Sequence, residues 1–298
     1  MRADAGPAAA STRLAQPPMP VLATRFLRHM RGGAQAHLLE AGDGYFYVTK
    51  FRENPQHLRI LVNEWISARL IEYLQIAAPP AAVVELDQAF LVRERDVKIR
   101  LASHETPVNA GWHFGSRFPG HPDREAVYDY LPDSLLGQIH NLRHFLGVFA
   151  FDKWTANSDS RQAIFVRQRV SHWIEDSGQP PLKKSFIALM IDNGYAFDGP
   201  HWEFSDNPAG GFYFRPMVYN AARTLDDFNP WLRRIQEAPP ELFDGILRDL
   251  PRSWLGAADE AAVEPLIERL YRRRSRVAEL IETSATARPS CFTAWTAA

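Results

Sequence analysis

Two carboxylates carry the most informative chemistry in the chain. Asp159 lies in Asn157-Ser158-Asp159-Ser160-Arg161, a polar turn between a helical stretch that ends at Phe151 and the extended apolar run Ala163-Ile164-Phe165-Val166. Asp192 closes a second apolar run, Phe186 to Ile191, and is followed by Asn193-Gly194. Residues 167–184 between them are polar and contain proline, so the two runs read as strands and the two acids fall on adjacent loops facing one cleft. An acid on a loop can orient a hydroxyl and accept its proton, while an acid at a strand end can hold a magnesium ion bridging nucleotide phosphates. Each acid alone also fits an ordinary use, Asp159 in a solvated Asx turn and Asp192 as a strand cap. Their order and separation favour the paired use.

Such a pair needs elements to position it and a partner for the phosphates. Val21 to Thr24 and Ala36 to Glu40 read as strands around a basic segment and Gly32-Gly33, and Tyr45 to Phe51 is strongly strand-like, with Lys50 near its end. Gly32 and Gly33 would let backbone N–H groups approach phosphates, and Lys50 could reach them from the neighbouring strand, although a glycine pair also serves a plain tight turn. Leu58, Leu61, Trp65, Ile66, Leu70 and Leu74 recur at helical spacing over residues 57–74, with Glu64 in the middle and Pro79-Pro80 beyond. Ala81 to Glu85 and Ala89 to Arg93 read as two short strands completing a small sheet.

Residues 95–133 show little periodicity and predict a long irregular connection. Its His104, His113 and His121 have neither helix-face nor zinc-ribbon spacing and read as exposed loop histidines. From Asp133, the positions Leu135, Leu136, Ile139, Leu142, Phe145, Leu146 and Phe149 predict one core helix feeding the Asp159 loop. Residues 198–216, rich in glycine, proline and aromatics, read as a substrate entrance or an ordinary surface loop. Helices follow over Phe228 to Glu237, Pro240 to Leu250 and Glu260 to Thr283, the last carrying Arg272-Arg273-Arg274 and Arg276 on what reads as a solvated face.

The order of a strand with Lys50, a helix with Glu64, short strands, a core helix, the Asp159 loop, a strand pair and Asp192 resembles a two-lobed kinase. More narrowly, Asn157-Ser158-Asp159-Ser160-Arg161-Gln162-Ala163-Ile164-Phe165 resembles the catalytic loop of HipA-like kinases, Ile191-Asp192-Asn193-Gly194-Tyr195-Ala196-Phe197 their metal-binding loop, and Asn63-Glu64 after a strand ending in lysine their helix pattern. The resemblance spans roughly residues 25–285. It implies an α+β protein-kinase-like fold with a sheet-rich first lobe and a mainly helical second lobe. It also implies ATP and Mg as cofactors, Asp159 as the base, Lys50 paired with Glu64 on the phosphates, and Asp192 as the metal ligand. Acceptors would be protein Ser/Thr or small-molecule hydroxyls. The family's asparagine after the catalytic acid is missing. Gln162, Ala163 and Ile164 stand in that region, so Gln162 is the substitute metal ligand on this reading, and a catalytically impaired nucleotide- or partner-binding module is the alternative.

With 298 residues and 46% hydrophobic content, the chain can bury a sizeable core. The expected division is a disordered extension over 1–20, a first lobe over 21–95, a second over 96–285 and a flexible tail over 286–298. Its 34 Lys+Arg against 35 Asp+Glu leave no global field pointing to nucleic acid or an anionic membrane. The single cysteine, Cys291, excludes an intramolecular disulfide framework and a cysteine-based zinc site. No apolar run reaches membrane-spanning length, and charged and proline residues interrupt any signal-peptide core near the start, so a reducing cytoplasm is the expected setting.

Overall fold

The computed structural model describes residues 19–101, 103–174, 180 and 182–296. The disordered extension expected over 1–20 therefore lies almost wholly outside the described residues. The chain starts as a sheet: β1 (Val21–His29), β2 (His37–Ala41) and β3 (Phe46–Lys50) run as an antiparallel meander whose turns fall at the glycine pairs. Helix α1 (Ile60–Tyr73) follows, then β4 (Ala81–Leu86), α2 (Gln88–Arg93), a hairpin of β5 (Lys98–Arg100) with β6 (Glu105–Pro107), and β7 (Gly111–Arg117). Strand β7 pairs with both β3 and β4, and β1 pairs with β4 in parallel, so the five strands close into a barrel in the order β1-β2-β3-β7-β4. Leu39, Tyr47, Phe51, Val84 and Phe90 fill its interior.

Two expectations for this region are corrected. Residues 89–93 are helical because Asp87 caps them, its carboxylate accepting from the Phe90 N–H at 2.6 Å. The connection expected over 95–133 contains the fifth barrel strand, so the sheet-rich part runs past residue 95 to Arg117. Its alternation is hidden by the small and polar residues Gly111, His113, Gly115 and Ser116. His113 faces inward, fully buried. Its Nδ1 accepts from the Arg52 N–H at 3.3 Å and its Nε2 donates to the Asn109 carbonyl at 3.1 Å, so it is no exposed loop histidine. Burial pushes it down to about 4.

The second part is mainly helical. After β8 (Val127–Tyr128) come α3 (Asp133–Leu136), α4 (His144–Thr155), the hairpin β9 (Gln162–Arg169) and β10 (Lys184–Ile191), then α5 (Trp231–Gln236), α6 (Pro240–Asp249), α7 (Ala257–Arg273) and α8 (Val277–Ala287). The single helix expected from Asp133 is two, broken after Leu136, and α4 continues beyond Phe151 to Thr155 because Trp154 is core, with its indole N–H on the Leu270 carbonyl at 2.9 Å. One apolar core joins α1, α4, the β9–β10 hairpin and the C-terminal helices.

The basic cluster is not wholly on a solvated face. Arg273 is buried and pairs with Asp206 at 2.5 Å. Part of the expected flexible tail packs inward: Phe292 is 2% exposed against Phe149, Phe212 and Tyr219, while residues 286–290 are exposed. Residues 297 and 298 lie outside the described residues. Among the described residues, no helix is long and apolar enough to cross a membrane.

Candidate active site

The antiparallel register of β9 and β10 places Gln162 opposite Ile191, so the loops at 157–161 and 192–194 emerge at the same end of one hairpin. Helix α4 delivers the first loop. It ends at Ala156, whose left-handed backbone (φ 49) returns its N–H to the Asp152 carbonyl. The Asn157 N–H reaches the same carbonyl at 2.9 Å.

The Asp152 side chain organises the loop from below. Its carboxylate accepts from Arg161 Nε at 2.9 Å and from Arg161 Nη2, and from Asn157 Nδ2 at 2.9 Å. Arg161 continues across to the other loop through Nη1, which donates to the Ile191 carbonyl at 2.9 Å and to Asn193 Oδ1 at 2.8 Å. Both partners of the Asp152–Arg161 pair are wholly buried. The two loops are thus tied together at their base, and Asp159 stands exposed at the turn, with Oδ1 accepting from the Ser160 N–H at 2.7 Å and its backbone N–H held by Asn157 Oδ1 at 3.2 Å.

Lys50, the last residue of β3, meets Glu64 of α1 and Asp192. Its ammonium donates to Glu64 Oε1 at 2.5 Å and to Asp192 Oδ1 at 2.8 Å. Glu64 is not a solvated mid-helix residue: α1 buries Ile60, Leu61, Val62, Trp65, Ile66 and Leu70 almost all round, and a carboxylate at 3% exposure in that setting needs partners. Glu64 finds Lys50 and the Asn193 backbone N–H, the latter at 3.1 Å. Neighbouring Asn63 donates to the carbonyls of Gly194, Ala196 and Gly199 at 2.8, 3.0 and 3.0 Å, holding the segment after Asp192. Burial opposes the charge on both Lys50 and Asp192, yet mutual attraction prevails. The Glu64 and Asp192 carboxylates raise the Lys50 ammonium above its ordinary value, and Lys50 lowers the Asp192 carboxyl below its own. Asp192 has a left-handed backbone (φ 61), a conformation that Asp tolerates better than most residues and that structures keep where a side chain must be aimed.

Gln162 reaches the same carboxylate. Its Nε2 donates to Asp192 Oδ2 at 2.9 Å, so the amide nitrogen rather than the oxygen faces Asp192. Gly32 and Gly33 form the β1–β2 turn, where φ +112 at Gly32 requires glycine. Gly32, Gly33, Lys50, Asp159, Asp192 and Gln162 all line one cleft of about 1690 Å³ between the barrel and the helical part. The seven candidate residues are therefore brought to the wall of one cleft, Glu64 included, and hydrogen bonds join four of them: Lys50 to Glu64 and Asp192, and Gln162 to Asp192. Sequence reasoning missed Asp152, and it marked Asn63 and Asn193 only as parts of motifs, without the hydrogen bonds they make. Asp152 carried a signal, an acid among core residues one turn before the loop, which demands a buried partner.

Among the described residues no group of three His, Cys, Asp or Glu is placed to hold a metal by itself. The donors present, one carboxylate and one amide at the cleft floor, fit magnesium, which takes hard oxygen ligands from one or two side chains and completes its shell with phosphates and water.

A sheet-rich part and a helical part with a lysine–glutamate pair and two loop carboxylates in the cleft between them constitute the protein-kinase-like class. The family model described as HipA-like kinase matches residues 24–279, and the chain belongs to that family of kinase-like phosphotransferases that use ATP. No curated protein matches it. Among solved structures the chain is similar to the Golgi casein kinase (12% identity, TM-score 0.47, covering 92% of this chain and 75% of that one) and to the Golgi casein kinase with Mn/ADP bound (11%, 0.42, 92% and 75%). It is also similar to the Helicobacter pylori proinflammatory kinase CtkA (12% identity, TM-score 0.40, 92% and 99%).

Proposed function

We propose that the protein transfers the γ-phosphate of ATP to a hydroxyl, on a protein Ser/Thr or a small molecule, with Mg. The observation that carries this reading is Lys50, whose ammonium bridges Glu64 and Asp192 at 2.5 and 2.8 Å on the cleft floor. A cation fixed by a buried glutamate is aimed where nucleotide phosphates would lie, and the phosphates' negative charge would add to the carboxylates that already hold it. The backbone N–H groups of the Gly32-Gly33 turn would close over the phosphates from the barrel side. Asp192, with Gln162 once its amide turns, would hold the magnesium, which neutralises charge on the phosphates when bound.

Asp159 then has the catalytic role. Its carboxylate accepts the hydrogen bond of the acceptor hydroxyl and takes its proton as the oxygen–phosphorus bond forms and the bond to the leaving ADP oxygen breaks. Asp152 and Arg161 contribute no proton. They keep the Asp159 and Asp192 loops at a fixed separation, and such positioning is a large part of the catalysis available to phosphoryl transfer.

One observation favours a second reading. Both Asp192 oxygens are taken, one by Lys50 and one by Gln162, and no asparagine follows Asp159 in its loop. On that reading the protein is a catalytically impaired module that binds a nucleotide or a partner. Transfer of labelled γ-phosphate from Mg-ATP to the protein itself, to other proteins and to small alcohols separates the two. Binding of Mg-ATP without any transfer favours the impaired module.

A further inference from the structure

Lys153 follows Asp152 on α4 and takes no part in the chemistry above. It is 4% exposed, an uncommon place for a lysine. Its ammonium donates three hydrogen bonds, all to backbone carbonyls of one short segment: Asn207 at 3.2 Å, Pro208 at 3.1 Å and Gly210 at 2.8 Å. It also stands 4.8 and 5.2 Å from the ring centres of Phe149 and Phe212. Three donors meet three acceptors, which is the full capacity of an ammonium group.

The segment that Lys153 holds is the one that holds the Asp159 loop. The Gly211 N–H donates to the Asp159 carbonyl at 2.9 Å, and the Arg161 N–H donates to the Phe212 carbonyl at 3.0 Å. Gly211 has φ +73, and a Cβ there would collide with the Asp152 side chain, so the segment lies flat against the base of the loop. We propose that Lys153 is a positioning residue for phosphoryl transfer: its three hydrogen bonds fix residues 207–212 as a clamp, and the clamp sets the place of Asp159. This rests on the assignment of Asp159 as the base.

The clamp carries a pH signature. The charged groups facing Lys153 are Asp152 on its own helix, Arg273 of α7, Arg288 just after α8, and Asp206 at the start of the segment. Burial outweighs the support of Asp152 and Asp206, Arg273 and Arg288 add to it, and together they push the ammonium down to about 8. A neutral amine has two N–H donors, so in alkaline solution one of the three carbonyls loses its partner. Global stability responds with the opposite sign. Between about 8 and the ordinary lysine value of 10.5 the unfolded chain binds more protons at this site, so this group adds stability as pH rises, and loosening of the clamp is distinguishable from unfolding.

The test is residue-resolved amide hydrogen exchange on the full chain, for wild type, Lys153→Met and Lys153→Arg, beside single-turnover transfer from Mg-ATP. In Lys153→Met the Gly211 and Arg161 amides should exchange about tenfold faster or more, the scale of a lost charge-assisted hydrogen bond, with amides of the β9–β10 hairpin unchanged. In wild type, after correction for base-catalysed chemistry, opening of the same two amides should rise through pH about 8 while the single-turnover rate constant falls and the half-saturating Mg-ATP concentration holds. Lys153→Arg, which stays charged, should show neither change, and the wild-type profile decides the matter if Lys153→Met does not fold. Exchange at Gly211 and Arg161 that is unaltered in Lys153→Met, or flat through that pH range in wild type, would overturn the clamp. Absence of transfer in wild type at every pH would overturn the assignment of Asp159, while the exchange data would still report on the clamp.

Discussion

Replacing Asp152 by alanine should destabilise the protein out of proportion to the one side chain removed. The Asp152 carboxylate and the Arg161 guanidinium are both 0% exposed, and Asn157 Nδ2 shares the same carboxylate. Asp152→Ala leaves a full positive charge buried with only the Ile191 carbonyl and Asn193 Oδ1 as acceptors, and leaves the Asn157 amide without its partner. Breaking a buried ion pair from one side costs about 3–5 kcal/mol, against about 0–1 kcal/mol for an exposed pair. Urea unfolding followed by fluorescence should therefore show a lower midpoint at unchanged slope, corresponding to a loss in the larger range. The double variant Asp152→Leu/Arg161→Met removes both charges and should lose less than Asp152→Ala alone, because no uncompensated ion remains. A single-variant loss below about 1 kcal/mol would refute the reasoning, since it would put the pair in the range of surface ion pairs. A double variant as unstable as the single one would locate the loss in packing rather than in charge.

Two further outcomes concern the cleft. Lys50→Met should weaken Mg-ATP binding about ten- to a hundredfold in calorimetric titration, the scale of lost hydrogen bonds to a charged group, and unchanged affinity would remove Lys50 from the phosphate site. Lys50 holds the Asp192 carboxyl below its ordinary value of 3.8, against the opposing effect of burial. The stability this contributes is fully present above that value and is lost as pH falls through the lower folded value. The acid limb of the unfolding midpoint between about pH 5 and 2 should therefore be shallower in Asp192→Asn, and a superimposable limb would show that Asp192 is not held charged by Lys50.

The parts of the site that are legible in the sequence are those whose side chains sit at the ends of strongly patterned elements. Lys50 ends an aromatic and β-branched strand, Glu64 sits in a helix with regular apolar spacing, and Asp192 closes six consecutive apolar residues, so each is placed by the element before it. Strand β7 is not legible because its residues are small or polar in alternation, and it becomes a strand only by inserting between β3 and β4, partners far away in sequence. The same holds for Ala89 to Arg93, where the capping aspartate at position 87 outweighs a short apolar run that reads as a strand. Asp152 and Lys153 look like a polar interruption of an apolar helix. Their partners, Arg161 and the carbonyls of 207–210, come from loops that local patterning cannot bring together. Arg273 lies in a run of arginines that reads as solvated, and its ion pair with Asp206, from a loop far away in sequence, offsets the charge that its burial would otherwise leave unpaired.

The central claim is that Asp159 acts on the reacting hydroxyl and not on the nucleotide. Asp159→Ala separates these, because a base contributes in the transition state and little in the ground state. The measurement is single-turnover transfer of labelled γ-phosphate from Mg-ATP, with the nucleotide dissociation constant determined on the same preparation. The expected result is a dissociation constant within about twofold of wild type and a transfer rate lower by about 10²–10⁴-fold, the contribution of a positioned general base. Transfer at the wild-type rate, or loss of nucleotide binding in step with loss of transfer, would contradict it.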